Sequence, residues 1–338
     1  MATLGSNVLT MADWAKRFED GKLAKIIELL SQNNQILDDM PFKEANQATG
    51  HITTLRTSLP SVSWRRINEG VTPSKSTANQ ITEGTAMLEA WSEVDVELAN
   101  LSGDVNGFRL TEAAAFIEAM SQEMASTVIY GNQGVNPEEF NGLDVRYGAT
   151  SGTNGQNIVQ VGSTVGGGGS GSDNASIWLV VWGESTVHGI FPKGSKAGIT
   201  HEDKGKVVVE TTAGIAGSRM EAYLDKFAWK TGLALRDWRY VARIPNIDIS
   251  NLTSKTGAAD LFELMVRAGY RVPNVANGKA CYYANRTCMQ MLDIQKRDNV
   301  QLGGQLTYDD HDGKPVMKFR GIPVRLTDAL TETESAIA

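Results

Sequence analysis

Between Gly50 and Leu101 the chain carries a stretch that a compact domain cannot bury, and this limits the folds open to it. The runs "HITTLRTSLP" and "SVSWRRINEG" (51–70) alternate Thr, Val and bulky residues over short spans, broken by Pro60, with Gly70 and Pro73 following. The next segment, "VTPSKSTANQITEGT" (71–85), is polar with little to pack. "MLEAWSEVDVELANL" (87–101) then places Leu88, Ala90, Ser92, Val94, Val96 and Leu98 on one parity, which predicts a half-buried strand reaching Leu98. Together these segments predict a long two-stranded excursion whose tip has no core of its own. An isolated hairpin is marginal in water, so this one is expected to lie on another surface.

The rest of the chain supplies a body for it. The clearest helix is "LTEAAAFIEAMSQEMASTVIY" (110–130), with strong helix formers, no internal Gly or Pro, and a stripe of Phe116, Ile117, Met120, Met124 and Val128. Thr111 is the expected cap at its start and Gly131 its end, a span of roughly 30 Å. Residues 12–38 also read as helix, with Trp14, Phe18, Ile26, Ile27 and Leu30 at helical spacing and a break possible at Gly21. "SIWLVVWG" (176–183) is a continuous apolar run, a strand covered on both sides. From 187 to 244 the chain reads as β-rich, with "KVVVETT" and "RYVARIPNI" the best strands and "DKFAWKTG" a weaker one. Helices are expected at "AADLFELMVRAGY", with Leu261, Leu264, Met265 and Ala268 on one face, and at about 285–297. The tail reads as a hairpin turning at Asp312-Gly313 plus a last strand. This order of elements is α+β rather than alternating βαβ.

Chemistry is sparse. A net charge of −7 argues against a dedicated grip on nucleic acid. No run of about 18 apolar residues suggests a membrane span. The two cysteines, Cys281 and Cys288, are too few for a disulfide framework and read as buried small hydrophobes. The glycine run at 166–169 and "GIFPKGSK" (189–196) both lack the lysine of a phosphate loop and read as surface loops. "YDDHDG" (308–313) lacks the spacing and terminal glutamate of a calcium loop. "GESTVHG" lacks the last glycine of a nucleophile elbow, and Ser185 and His188 three apart make no triad by themselves. No cofactor and no catalytic residue is expected.

One resemblance organises these features. "WRRINEGVTPSKST", then "SEVDVELANL", then a long helix ending in "YGNQGVNPEEFNGL", resembles the major capsid proteins of tailed bacteriophages. "ACYYANRTCMQMLDIQKRDNVQLGG" followed by "FRGIPVRLTDAL" is similar to that family's late strand, helix and closing strand. The likeness covers most of residues 40–330 and is greatest to short-tailed phages of the Salmonella phage epsilon fifteen type. Each motif is weak alone; four in order are specific.

The resemblance implies the Hong Kong 97-type capsid fold, with an N-terminal arm (1–40), an extended loop (41–103) and a peripheral domain with a spine helix (104–145, plus C-terminal strands about 301–338). Residues 146–300 would be mostly axial domain. It implies pentamers and hexamers of the chain itself, closing an icosahedral shell around packaged double-stranded DNA. A separate scaffolding protein, a portal and a cement or decoration protein are expected partners. Trp64, Arg65, Arg66, Glu69 and Lys75 are expected contacts between subunits, with Gly70 as the bend after them. Some family members crosslink a lysine to an asparagine, and Lys75 is placed for that, but the sequence shows no proton acceptor beside it. Two other readings remain: a decoration or tail protein, and a hydrolase using Ser185 or a metal near Asp309–Asp312.

Overall fold

The computed structural model describes residues 18–19, 22–23, 31–101, 103–161, 172–210, 219–255, 257–298, 306–311 and 314–337. In chain order the elements are β1 (Phe18–Glu19), β2 (Lys22–Leu23), α1 (Ile36–Asp39), β3 (Phe42–Glu44), β4 (Gly50–Ser58), β5 (Thr77–Gly84), β6 (Ala86–Asp95), α2 (Val96–Leu101), α3 (Val105–Tyr130) and α4 (Leu143–Arg146). There follow β7 (Asn174–Trp182), β8 (Val187–Phe191), β9 (Ile199–Glu210), β10 (Arg219–Leu235), β11 (Val241–Asp248), α5 (Ile249–Ser254), α6 (Leu261–Arg271), β12 (Lys279–Ala284), α7 (Arg286–Asp298), β13 (Leu306–His311), β14 (Lys314–Phe319) and β15 (Ile322–Leu326). The arrangement is mixed α+β, as the order of sequence patterns predicts.

β7 is the centre of the molecule. Every residue from Asn174 to Trp182 is buried, because its pleat presents a different core on each side. Ala175, Ile177, Leu179 and Val181 pack with α6 and α7, through residues such as Leu261, Met265 and Leu292. Trp178, Val180 and Trp182 pack with Met120, Met124 and Val128 of α3. An 11-stranded sheet runs in the order β13-β14-β15-β12-β7-β8-β10-β6, with β11, β3 and β9 pairing β7, β8 and β10. α7 opens where the Asn285 side chain accepts a hydrogen bond from Cys288 N at 2.8 Å.

Several details differ from the sequence reading. β1 and β2 pair antiparallel (Phe18 with Leu23, Glu19 with Lys22) and residues 31–35 are not helical, so a continuous helix over 12–38 is ruled out; Ile36–Asp39 is helical, and 12–17, 20–21 and 24–30 lie outside the described residues. The intervening Asp20-Gly21 is itself a hairpin signal that helical periodicity outweighed. β6 ends at Asp95 rather than Leu98, because the Asp95 carboxylate accepts from Glu97 N at 2.8 Å and starts α2. α3 begins five residues before Leu110, capped by Asp104, whose side chain accepts from Gly107 N at 3.0 Å, and not by Thr111, which hydrogen-bonds the Gly107 carbonyl. Its 26 residues make it about 39 Å long. Ile117 is on its open side. "DKFAWKTG" belongs to the 17-residue strand β10, which pairs with β6, β8 and β9.

After α3 the chain doubles back so tightly that Gly142 N donates to Gly131 O at 2.8 Å. A Cβ on Gly142 would lie 2.7 Å from the Thr127 carbonyl oxygen, so only glycine fits this return. It delivers α4, and with it Arg146, to the root of the excursion. No described helix is long and apolar enough to cross a membrane. The glycine run at 166–169 and the Asp312-Gly313 turn lie outside the described residues, although the strands flanking that turn, β13 and β14, do pair.

Candidate assembly interface

The excursion is a two-stranded ladder separate from the main sheet, but its second strand is β5, inside the segment read as too polar to pack; the Leu88–Val94 strand expected to take part, β6, pairs with β10 in the main sheet instead. β4 and β5 pair antiparallel from Gly50–Gly84 to Ser58–Thr77 and, among the described residues, hydrogen-bond to no other strand. Its root is fastened and its far end is open. At the root, Arg146 grips Glu83 with two 2.6 Å hydrogen bonds and also donates to the Leu233 and Asn141 carbonyls. This is the bidentate geometry that makes arginine–carboxylate pairs strong and directional. His51, beside Glu83 in the register, is buried against His188 of β8, ring centroids 6.1 Å apart. His51 Nδ1 faces Asn46 N at 3.2 Å and Nε2 faces Arg236 Nη2 at 2.9 Å. Both neighbours are donors, so a neutral ring satisfies only one and a protonated ring neither.

His51 is held below its ordinary pKa by burial, then by the Arg236 and Lys43 charges, with Glu83 opposing. His188 falls further, to about 4, through burial first, then Arg236 and His51. Neither His188 nitrogen makes a well-formed hydrogen bond, though the Gly183 carbonyl is near enough to favour the proton slightly. Lys43 pairs with Glu184 at the edge of this cluster.

Beyond Ser58 the chain has no regular structure until Thr77, and it ties itself locally. Glu69 N donates to Arg66 O at 3.2 Å, Arg65 Nε to Glu69 O at 2.7 Å, and Ser74 Oγ to Ser61 O at 2.7 Å. The bend is at Ile67-Asn68, where Asn68 takes φ 70°; it is not at Gly70, whose φ is not positive. Asparagine tolerates this left-handed region better than most residues, which is the reason the turn settles there.

Trp64, Arg65, Arg66, Glu69 and Lys75 are all exposed. The structure brings Arg65 onto Glu69 through its backbone carbonyl, and gives none of the four charged side chains an ion pair among the described residues. Trp64 is 103 % exposed, Ile67 92 % and Val62 90 %, and Leu59 and Val71 join them. Residue-by-residue reading missed these four apolar companions; the available signal was their recurrence in a stretch otherwise too polar to pack. Large apolar side chains gathered on one surface mark interaction sites.

The motifs weighed as chemistry do not converge. Ser185 is exposed while His188 is buried facing His51. Among the described residues no three His, Cys, Asp or Glu side chains could hold a metal ion. Cys281 and Cys288 are buried, and burial pushes their thiols up to about 11 and about 12.

A well-packed α+β body with an anchored arm that displays apolar residues to solvent is a building block for assembly. The comparisons agree. The chain matches the family model for major capsid protein GP7 over residues 18–338. It is similar to a chain of the near-atomic cryo-EM structure of bacteriophage Epsilon15, at 32 % identity and TM-score 0.80, covering 100 % of this chain and 99 % of that one. It is also matched, at 12 % identity and TM-score 0.48 over 97 % of both chains, by the bacteriophage JBD30 capsid. No curated protein matches. The chain belongs to the major capsid protein GP7 family and has the Hong Kong 97-type capsid fold expected from its motifs. It is a structural subunit of a bacteriophage virion shell.

Proposed function

We propose that the chain closes an icosahedral shell as pentamers and hexamers around packaged double-stranded DNA, and that residues 59–76 reach onto a neighbouring copy. The observation that carries this reading is the anchored arm whose Trp64 is fully exposed. Trp64 is the packing anchor, Arg65, Arg66 and Glu69 supply polar contacts around it, and Lys75 flanks them. In this reading residues 1–40 are an arm and 41–103 the extended loop, of which Gly50–Gly84 forms the free pair. Residues 104–145 with 301–338 form the peripheral domain, and 146–300 most of the axial domain. The subunit has no active site; membership of a structural family and the separation of Ser185 from His188 support this. It is made in the host cytoplasm and assembles with a scaffolding protein, a portal and a cement protein.

Negative-stain microscopy of the expressed chain tests the assembly, and monomers under all salt, concentration and scaffold conditions would count against it. Arg65→Glu, Arg66→Glu or Glu69→Lys is expected to block particle formation while leaving the unfolding midpoint of the monomer within about 0.5 kcal/mol of the parent, as surface changes usually do. Equal loss of assembly and stability would place the loop in the subunit's own core instead.

A further inference from the structure

Residues 56–76 carry Arg56, Arg65, Arg66 and Lys75 against the single carboxylate of Glu69, on a chain whose net charge is −7. The arm is therefore a basic, apolar-tipped probe on an acidic body, and its receptor should be an apolar recess with an acidic rim. Among the described residues three clefts are compared. One, between α6 and β14–β15, is apolar but has Arg320 on its rim. A second, beneath the C-terminal residues 331–337, is mainly polar and is entered by Arg243. The third lies between β6 and the end of α3: Met87, Leu88, Met124 and Phe140 line it, and Glu123 and Glu138 stand at its edge. Both carboxylates are exposed, and neither forms an ion pair among the described residues. The neighbouring Glu139 is engaged, accepting from Asn132 N and Asn136 Nδ2.

We infer that Trp64 of one subunit seats in this β6–α3 cleft of the next copy, with Arg65 and Arg66 against Glu123 and Glu138; the inference rests on the shell reading above. The cleft holds about 200 Å³, and an apolar cavity of ~150 Å³ is enough for a benzene ring, so an indole fits it. The occupant comes from another copy for a geometric reason. The cleft begins at Ala86, two residues from the arm's root, whereas the paired strands carry the tip about 26 Å away from that root. Trp64 is accordingly fully exposed in its own subunit. A tip-to-root contact uses different surfaces on the two partners, so it is heterologous and builds a ring when its rotation closes.

Proximity crosslinking in particles tests this. Trp64→Cys with Met87→Cys, treated with a short bis-thiol-reactive reagent, should give a ladder of linked subunits up to the ring size, and each single variant should give none; the native thiols are buried and contribute no background. Assembled particles that show no ladder, or only an internally linked monomer, would overturn the inference while leaving the shell reading intact, whereas failure of the unsubstituted chain to assemble bears on the shell reading. A second arm covers loss of assembly by the cysteine pair. Glu123→Lys with Glu138→Lys should abolish particles, and adding Arg65→Glu with Arg66→Glu to the same chain should restore them. Unimpaired assembly of the Glu→Lys variant, or no recovery in the combined one, would refute the pairing.

Discussion

Acidification should loosen the arm at its root, and His188 is the group to test. Its ring is buried in β8 beside His51 and Arg236, and its pKa is lowered from 6.5 to about 4. The unfolded chain takes up this proton near pH 6.5, while the folded chain resists it until near pH 4. Between those values the native state binds fewer protons, so stability is present above about 6.5 and lost as the pH falls toward 4. At ~1.36 kcal/mol for each pKa unit, the ring accounts for about 3 kcal/mol lost across that window. His51 is shifted in the same direction and adds to the loss. The assay is urea unfolding of the assembly-blocked Arg66→Glu monomer, with and without His188→Gln, at pH 7, 5.5 and 4.5. The His188 chain should lose stability more steeply, by about 1 kcal/mol between pH 6.5 and 5.5. Hydrogen exchange at Gly50–Ile52 should rise over the same range. Parallel pH profiles for the two chains would refute the reasoning, because carboxylate titration elsewhere is common to both.

Two further outcomes are expected. Arg243, buried over the Trp178 ring, bonds Glu334 at 2.9 Å and Asp144 at 2.5 Å, and Tyr130 OH donates to Glu334 at 2.6 Å. Glu334→Ala leaves that guanidinium short of a partner and should cost about 3–5 kcal/mol in denaturant unfolding, with residues 331–337 becoming sensitive to carboxypeptidase. Cys281 and Cys288, with thiols raised to about 11 and about 12, should react with a thiol reagent at pH 8 only after denaturation; labelling of the native chain at the unfolded rate would contradict their burial.

Much of this architecture is readable from local pattern. The run 176–183 announces a strand covered on both faces, and β7 (Asn174–Trp182) is one; the parity of Leu88 through Leu98 announces β6, though that strand stops at Asp95. That an excursion exists is legible from what the stretch lacks, since a polar segment with no partner face must find one elsewhere; its second strand is not, because β5 is too polar to show a parity while β6, which shows one, joins β10. What local reading misses depends on side chains binding backbone or on distant residues. Asp104 and Asp95 move element boundaries by capping, which hydrophobic periodicity does not register. The root depends on Arg146 and Glu83, 63 residues apart, and on His51 meeting His188. Such pairs become neighbours only once the Gly131–Gly142 return and the β8–β10 pairing exist.

The division between a fixed root and a displayed tip has an energetic consequence for assembly. Burying Leu59, Val62, Trp64, Ile67 and Val71 would contribute on the order of 10 kcal/mol in gross terms. Association itself costs roughly 4–15 kcal/mol in lost rigid-body freedom, before any side chain is ordered. One arm on one neighbour is therefore close to balanced, and a dimer made by that contact alone would be weak. The local ties, Arg65 to the Glu69 carbonyl and Ser74 to the Ser61 carbonyl, lower the ordering cost of the tip without changing that conclusion. If the tip seats on a neighbour as proposed, every subunit of a ring gives one tip and receives another, and the final subunit adds two contacts for one loss of freedom. Stability then depends on closure rather than on any single interface. On the proposed contact, a subunit commits only when its neighbours complete the circle.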